Sequence, residues 1–261
     1  MATNSVDVLG PGRTGALTGS RKGFYFGMAV VLAATVFIGF SPSFYLRAVL
    51  AKPLHVPPLS TALLVVHGSV MTVWMLLLLA QTGLVKAGRV ELHRRFGVFA
   101  AAWAVLMVCV VLVTAIVQAH RAVIAGTPPS NFNTLSSISD IALFGVLIGV
   151  AVRLRRSPGV HRRLMILATV LLMTPATFRT FNFLLAPLGL PLLPVGILIG
   201  LGLPTAYVLA VAVHDLVTLR RIHPATIWGG VPILMWEALI VSPFYASSLA
   251  TELTHKLAGL Y

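Results

Sequence analysis

Apolar residues run along this chain in blocks of about 20, separated by short polar connections, rather than alternating or recurring on one face. Such blocks are long enough to cross a hydrocarbon layer of ~30 Å as α-helices. The pattern predicts an all-α fold, a membrane-spanning bundle of seven helices at roughly 23–45, 60–84, 96–119, 137–154, 163–185, 192–215 and 226–246. The connections are short, so neighbouring helices are expected to pack antiparallel in one domain covering 23–246. Residues 1–22 read as a flexible cytoplasmic tail and 247–261 as a short outer tail.

The basic residues set the direction. Arg13, Arg21 and Lys22 precede the first span. The second connection carries Lys86, Arg89, Arg94 and Arg95, and the fourth carries Arg153, Arg155, Arg156, Arg162 and Arg163. The sixth begins with Arg220 and Arg221, while the odd-numbered connections are poorer in Lys and Arg. Basic loops stay on the cytoplasmic side, which places the N-terminus inside and the C-terminus outside.

Composition agrees with a lipid environment: 58% of residues are hydrophobic, 10% are charged and the mean hydropathy is +0.96. The net charge of +13 sits in the loops, and no separate basic domain exists to grip a nucleic acid. Cys109, the single cysteine, precludes an intrachain disulfide and any CxxC metal motif.

Three inner connections repeat a theme. LHRRFGVFA (92–100), VHRRLMILA (160–168) and IHPATIWGG (222–230) each place a histidine before an outward-going helix. His93, His161 and His223 therefore read as interfacial anchors facing the phosphate headgroups. The stretch HGSVMTVWMLLLLAQTGLVKAGRVELHRRFG (67–97), followed by HRRLMILATVLLMTPATFR (161–179), resembles a group of uncharacterised bacterial polytopic membrane proteins. These combine an intramembrane His, a GRxxLHRRxG loop and a second HRR-led helix with a distal Arg. The resemblance covers about half the chain. It implies a bacterial cytoplasmic-membrane location, with His67, His93, His161 and Arg179 at the matching positions, and it implies no activity.

Ionisable groups inside the spans are the candidate chemistry, because charge in a bilayer is costly unless it is paired or functional. Of six acidic residues, Asp140 and Glu237 fall within spans and Asp215 ends one. From the rise of ~1.5 Å per residue, His67, Arg179 and Glu237 share a layer roughly 9–13 Å below the outer surface. Asp140, Gln118 and Asn182 lie shallower, and Thr72 and Trp74 lie deeper below His67. The strictly apolar part of span four, IALFGVLIGVAV (141–152), is too short to cross, so Ser136, Ser137, Ser139 and Asp140 must extend it outward. The expectation is an outward-facing polar pocket lined by His67, Trp74, Asp140, Arg179, Asn182 and Glu237, with Arg179 paired to Glu237.

Several chemistries are excluded. GPGRTG (10–15) lacks the ending of a phosphate-binding loop, and neither HExxH nor a nucleophile elbow occurs. Haem between facing histidines is disfavoured: His67 and His120 differ by about 9 Å in depth, and His93, His161 and His214 lie near the inner surface. A mixed metal site of His67, Asp140 and Glu237 is the alternative ligand set. The leading expectation is a small molecule (a quinone, a lipid fragment or an organic anion) held by Arg179 as cationic anchor, with His67 and Glu237 as proton donor or acceptor. A haem- or metal-binding redox protein and an accessory subunit of a larger membrane complex are the other classes.

Overall fold

The structure is a computed structural model that describes residues 11–50, 61–184, 188–189, 192–240 and 242–259. All regular elements among these are helical. They are α1 (Pro11–Phe40), continued by a π-helical turn (Ser41–Tyr45), α2 (Arg47–Leu50), α3 (Thr61–Lys86), α4 (Val90–Ile124) and α5 (Asn131–Arg153). The chain continues with α6 (Pro158–Val170), α7 (Thr174–Leu184), α8 (Leu192–Leu219), α9 (Pro224–Ile240), a 3-10 turn (Pro243–Ala246) and α10 (Ser248–Ala258).

Among the described residues, five helical segments are long and apolar enough to cross a membrane: Gly23–Tyr45, Ala62–Lys86, Val90–Ile124, Asn131–Arg153 and Gly202–Leu219. A sixth arises if α6 and α7, which meet at a bend of 44°, are taken as one broken span. The seventh expected span, 226–246, overlaps α9, whose 17 residues measure about 25 Å and which is not among these candidates. Val98, Val105, Val113, Val146, Val217 and Met235 remain exposed on the bundle's outside, an arrangement that suits lipid rather than water as the surrounding solvent.

Sequence explains the break in the sixth span. Pro175 has no N–H, and its ring displaces the preceding carbonyl, so the helix cannot run through. The backbone tightens instead through Leu172 N–H to Thr169 O at 3.1 Å and Met173 N–H to Val170 O at 3.0 Å. It restarts with Thr177 N–H to Met173 O at 2.9 Å, and the Thr177 hydroxyl donates to Thr174 O. Ser130 caps α5 by accepting from Asn133 N at 3.1 Å, and Ser247 caps α10 by accepting from Ala250 N at 3.2 Å.

Helix starts at Pro11, inside the segment expected as a flexible tail, and residues 1–10 lie outside the described residues. The expected outer tail is largely helix α10, which packs on α4 and α5 and buries Ala250, Thr254 and Ala258.

Helix α6 occupies the centre, packed against α1, α5, α8 and α9. Its Leu164, Ile166, Leu167, Ala168 and Val170 are all buried. Trp74 packs edge-on against Phe144, ring centroids 5.2 Å apart, and donates to the Thr169 hydroxyl at 3.3 Å. Helices α1 and α7 approach so closely at Gly39 that a Cβ there would stand 2.2 Å from the Ala176 carbonyl oxygen.

Contacts define two ends. At one, Lys86 lies over Phe26 at 4.6 Å, Phe24 stacks on His214 at 3.8 Å and Arg162 lies over Tyr25 at 4.8 Å. At the other, His120 Nδ1 bonds the Ala258 carbonyl at 2.9 Å, and Asn131 donates to Tyr245 O and the Thr251 hydroxyl. The basic connections after α3, α5 and α8 all fall at the first end.

Candidate functional site: polar groups buried in the bundle

At the basic end, Arg163 and Asp215 are almost completely buried, 1% and 0% exposed. The Arg163 Nε–H is shared between Asp215 Oδ1 and Oδ2 at 3.0 and 3.1 Å, and Nη2 also donates to Oδ1. Its Nη1 donates to Gly159 O at 2.7 Å. Asp215 further accepts from the His223 backbone N–H at 3.1 Å and from the Thr226 hydroxyl. The node thus joins α6, α8 and the start of α9, and it satisfies its charges internally. His223 Nδ1 accepts from Ala225 N–H at 3.0 Å, capping α9. Burial, reinforced by Arg163, holds that imidazole below the usual histidine range, which keeps Nδ1 an acceptor.

Of the other expected interfacial histidines, His93 and His161 sit at this end with ring centroids 6.3 Å apart, and His161 Nδ1 bonds Ala151 O at 2.9 Å. His223 is more than an anchor, because its backbone N–H bonds Asp215 of the buried node and its ring caps α9. In the sequence Arg163 is one loop arginine among several. The available signal was Asp215, the acidic residue at the inner end of a span with basic residues on every side.

At the opposite end the structure gathers part of the expected layer. Asp140 on α5 and Glu237 on α9 are 7% and 6% exposed and lie within electrostatic reach of each other. Asp140 Oδ1 accepts from Trp236 Nε1–H, and Glu237 Oε2 accepts from the Thr205 hydroxyl on α8. Glu237 Oε1 is buried with no hydrogen-bond partner among the described residues. A row of rings borders this pair: Phe178, Phe132, Tyr245 and Trp236, with successive centroids 6.3, 5.5 and 6.4 Å apart.

Arg179 and His67 belong to a different part of the layer. Arg179 lies over the Phe40 ring at 4.7 Å and donates to its own helix at Pro175 O, 3.2 Å away. His67 is within electrostatic reach of Arg179, and its Nδ1 is buried with no partner among the described residues. No ion pair joins Arg179 to Glu237 among the described residues, contrary to expectation. The reason is placement: Glu237 faces α5 and α8, whereas Arg179 on α7 turns to the π-helical end of α1. Trp74 is a core residue, its N–H committed to Thr169. The side chain of Asn182 lies outside the described residues. No three His, Cys, Asp or Glu side chains gather as a metal-ligating group among the described residues.

A helical bundle with an apolar exterior and several helices long enough to span a bilayer, with Arg163 and Asp215 paired in its interior, is the arrangement of a multi-pass membrane protein. Comparison with known proteins gave no matching family model, no matching curated protein and no matching solved structure.

Proposed function

We propose that the chain is a seven-span membrane protein, N-terminus inside, whose outer side carries a polar intramembrane site for a small organic cation. The supporting observation is the Asp140–Glu237 pair: two buried carboxyls within electrostatic reach of each other, one oxygen without a hydrogen-bond partner, and no lysine or arginine bonded to either among the described residues. Two such groups either share a proton or hold a cation. Rings bordering a carboxylate are the usual surroundings of an organic ammonium group. This chemistry favours a cationic ligand over the quinone, lipid fragment or organic anion that Arg179 alone suggests. Arg179 and His67 lie apart from this pair.

The seven-span reading is supported by α9. It starts beside Asp215 at the basic end and brings Trp236 to Asp140, which supports a crossing despite its length. A bacterial cytoplasmic membrane is the location that the resemblance of 67–97 and 161–179 to bacterial polytopic proteins would imply.

The test is thermal unfolding of the purified protein with tetramethylammonium and with neopentyl alcohol, its neutral near-isostere. The ammonium ion is expected to raise the melting temperature and the alcohol to leave it unchanged. The rise should vanish in Asp140→Asn/Glu237→Gln and persist in Arg179→Gln. Equal responses to the two compounds would end the cation reading.

A further inference from the structure

At the basic end, away from the carboxyl pair, a cleft of about 520 Å³ opens between the end of α3 and the start of α4. Its walls are Leu77, Ala80, Leu84, Leu92 and Phe96, with Gln81 and Arg89 as the polar members. We propose that this cleft binds an anionic glycerophospholipid of the inner leaflet, with the acyl chain along the apolar wall and the phosphate at Arg89.

Three observations carry the assignment. First, the Gln81 amide is buried, and neither its Nε2 nor its Oε1 has a partner among the described residues. An amide left so in an apolar wall is costly unless a ligand supplies hydrogen bonds. A glycerol ester carbonyl accepts from Nε2, and a headgroup or glycerol hydroxyl donates to Oε1.

Second, the charges match an anion. Arg89 stands at the rim, exposed, with no side-chain hydrogen bond or ion pair among the described residues. The same connection carries Lys86, Arg94 and Arg95, against a single acid, Glu91, which is paired with Arg95 at 3.1 Å. Clusters of this kind between helices at the cytoplasmic face suit anionic headgroups.

Third, the depths agree. Gln81 lies five residues before Lys86, about 8 Å along the helix. The interfacial zone between phosphate and hydrocarbon is itself about 5–8 Å thick. With phosphate at Arg89, ester groups therefore fall near Gln81 and the acyl chain near Leu77 and Ala80. The inference is independent of the carboxyl pair, because the two sites lie at opposite ends of the bundle.

The experiment uses full-length protein, delipidated in a non-ionic detergent. Thermal unfolding and native mass spectrometry are recorded with phosphatidylglycerol, phosphatidylcholine or sn-glycerol 3-phosphate. Phosphatidylglycerol is expected to raise the melting temperature and remain bound one to one, while phosphatidylcholine and the free headgroup do neither. Arg89→Gln and Gln81→Leu should each weaken the phosphatidylglycerol effect about tenfold, the ratio that corresponds to ~1.4 kcal/mol. Arg156→Gln, on a different basic connection, should leave it unchanged. Equal effects of the two lipids, or equal losses in Arg89→Gln and Arg156→Gln, would overturn the site in favour of diffuse surface charge. A response to sn-glycerol 3-phosphate alone would overturn the lipid and leave a phosphate site.

Discussion

Arg163 on α6 holds Asp215 on α8 in an ion pair with both side chains buried, and Asp215 passes that link on to Thr226 at the start of α9. Three helices are therefore fixed at one point by charge. Removing one partner leaves the other buried and unbalanced, which typically costs ~3–5 kcal/mol. Arg163→Met and Asp215→Leu should each lower the melting temperature in detergent strongly. The double variant should recover much of the loss, since an apolar pair of similar volume carries no stranded charge. Thermal unfolding of the single and double variants checks this. Full additivity would show that the two residues do not act as a pair.

Much of the architecture was legible from the blocks of apolar residues, because a lipid solvent leaves helices as the economical way to satisfy the backbone. The span expected at 23–45 coincides with Gly23–Tyr45. The break at Pro175 was not seen as a boundary, because Met173, Thr174 and Ala176 keep the surrounding segment apolar enough to pass as one run. Depth counting put Arg179 and Glu237 in one layer, yet depth says nothing about the direction a side chain takes around a helix axis. That angular term separated them. It also hid the Asp140–Glu237 proximity and the Arg163–Asp215 node, both of which depend on which helices are neighbours.

His223 makes the basic-end node sensitive to pH. Its folded-state pKa lies below the ordinary histidine value, so the unfolded chain binds the proton more readily. The stabilising contribution is complete above pH ~6.5 and is lost as pH falls below that value. His223→Asn keeps a side-chain oxygen to cap Ala225 N–H but does not titrate. Melting temperatures at pH 7.5 and 5.5 should differ less in His223→Asn than in the parent protein. An unchanged difference would remove His223 from the pH response.

The two carboxyls should behave as a coupled pair and Arg179 as an independent residue. Asp140→Asn and Glu237→Gln each remove one of two acids within electrostatic reach of each other, so the second neutralisation should change stability less than it does in the parent. Arg179→Met and Glu237→Leu should combine additively, within about 0.5 kcal/mol. Double-mutant cycles from thermal unfolding measure both. A coupling of more than ~1 kcal/mol between Arg179 and Glu237 would restore the ion pair that the geometry does not contain.

Close helix contact makes two glycines unequal. A Cβ at Gly39 would meet backbone, the Ala176 carbonyl, whereas a Cβ at Gly68 would meet the Phe44 ring at 2.3 Å. A ring can rotate away, but a carbonyl in a helix cannot. Gly39→Ala should therefore cost about 1–3 kcal/mol, in the range of overpacked cores, and Gly68→Ala less. Gly27→Ala, with nothing within 4 Å of its Cβ, should be neutral or slightly stabilising. Melting temperatures of the three variants rank them. A Gly39→Ala protein as stable as Gly27→Ala would mean that α1 and α7 do not meet this closely.

Orientation follows from which residues share an end. His120, Asn131, Thr251 and Ala258 are tied together at one end, while the basic connections after α3, α5 and α8 lie at the other. Positive charge is retained in the cytoplasm, so the end holding α10 should face out. Single cysteines at Gly88, Thr127, Ser157 and His255, in a Cys109→Ala background, can be probed with a membrane-impermeant thiol reagent. In intact cells, positions 127 and 255 should label and positions 88 and 157 should label only after permeabilisation. The reverse pattern would invert the bundle, and with it the side from which the Asp140–Glu237 pair is reached. Labelling at 127 without labelling at 255 would instead break the link between α10 and the α4–α5 connection, leaving α9 short of a full crossing.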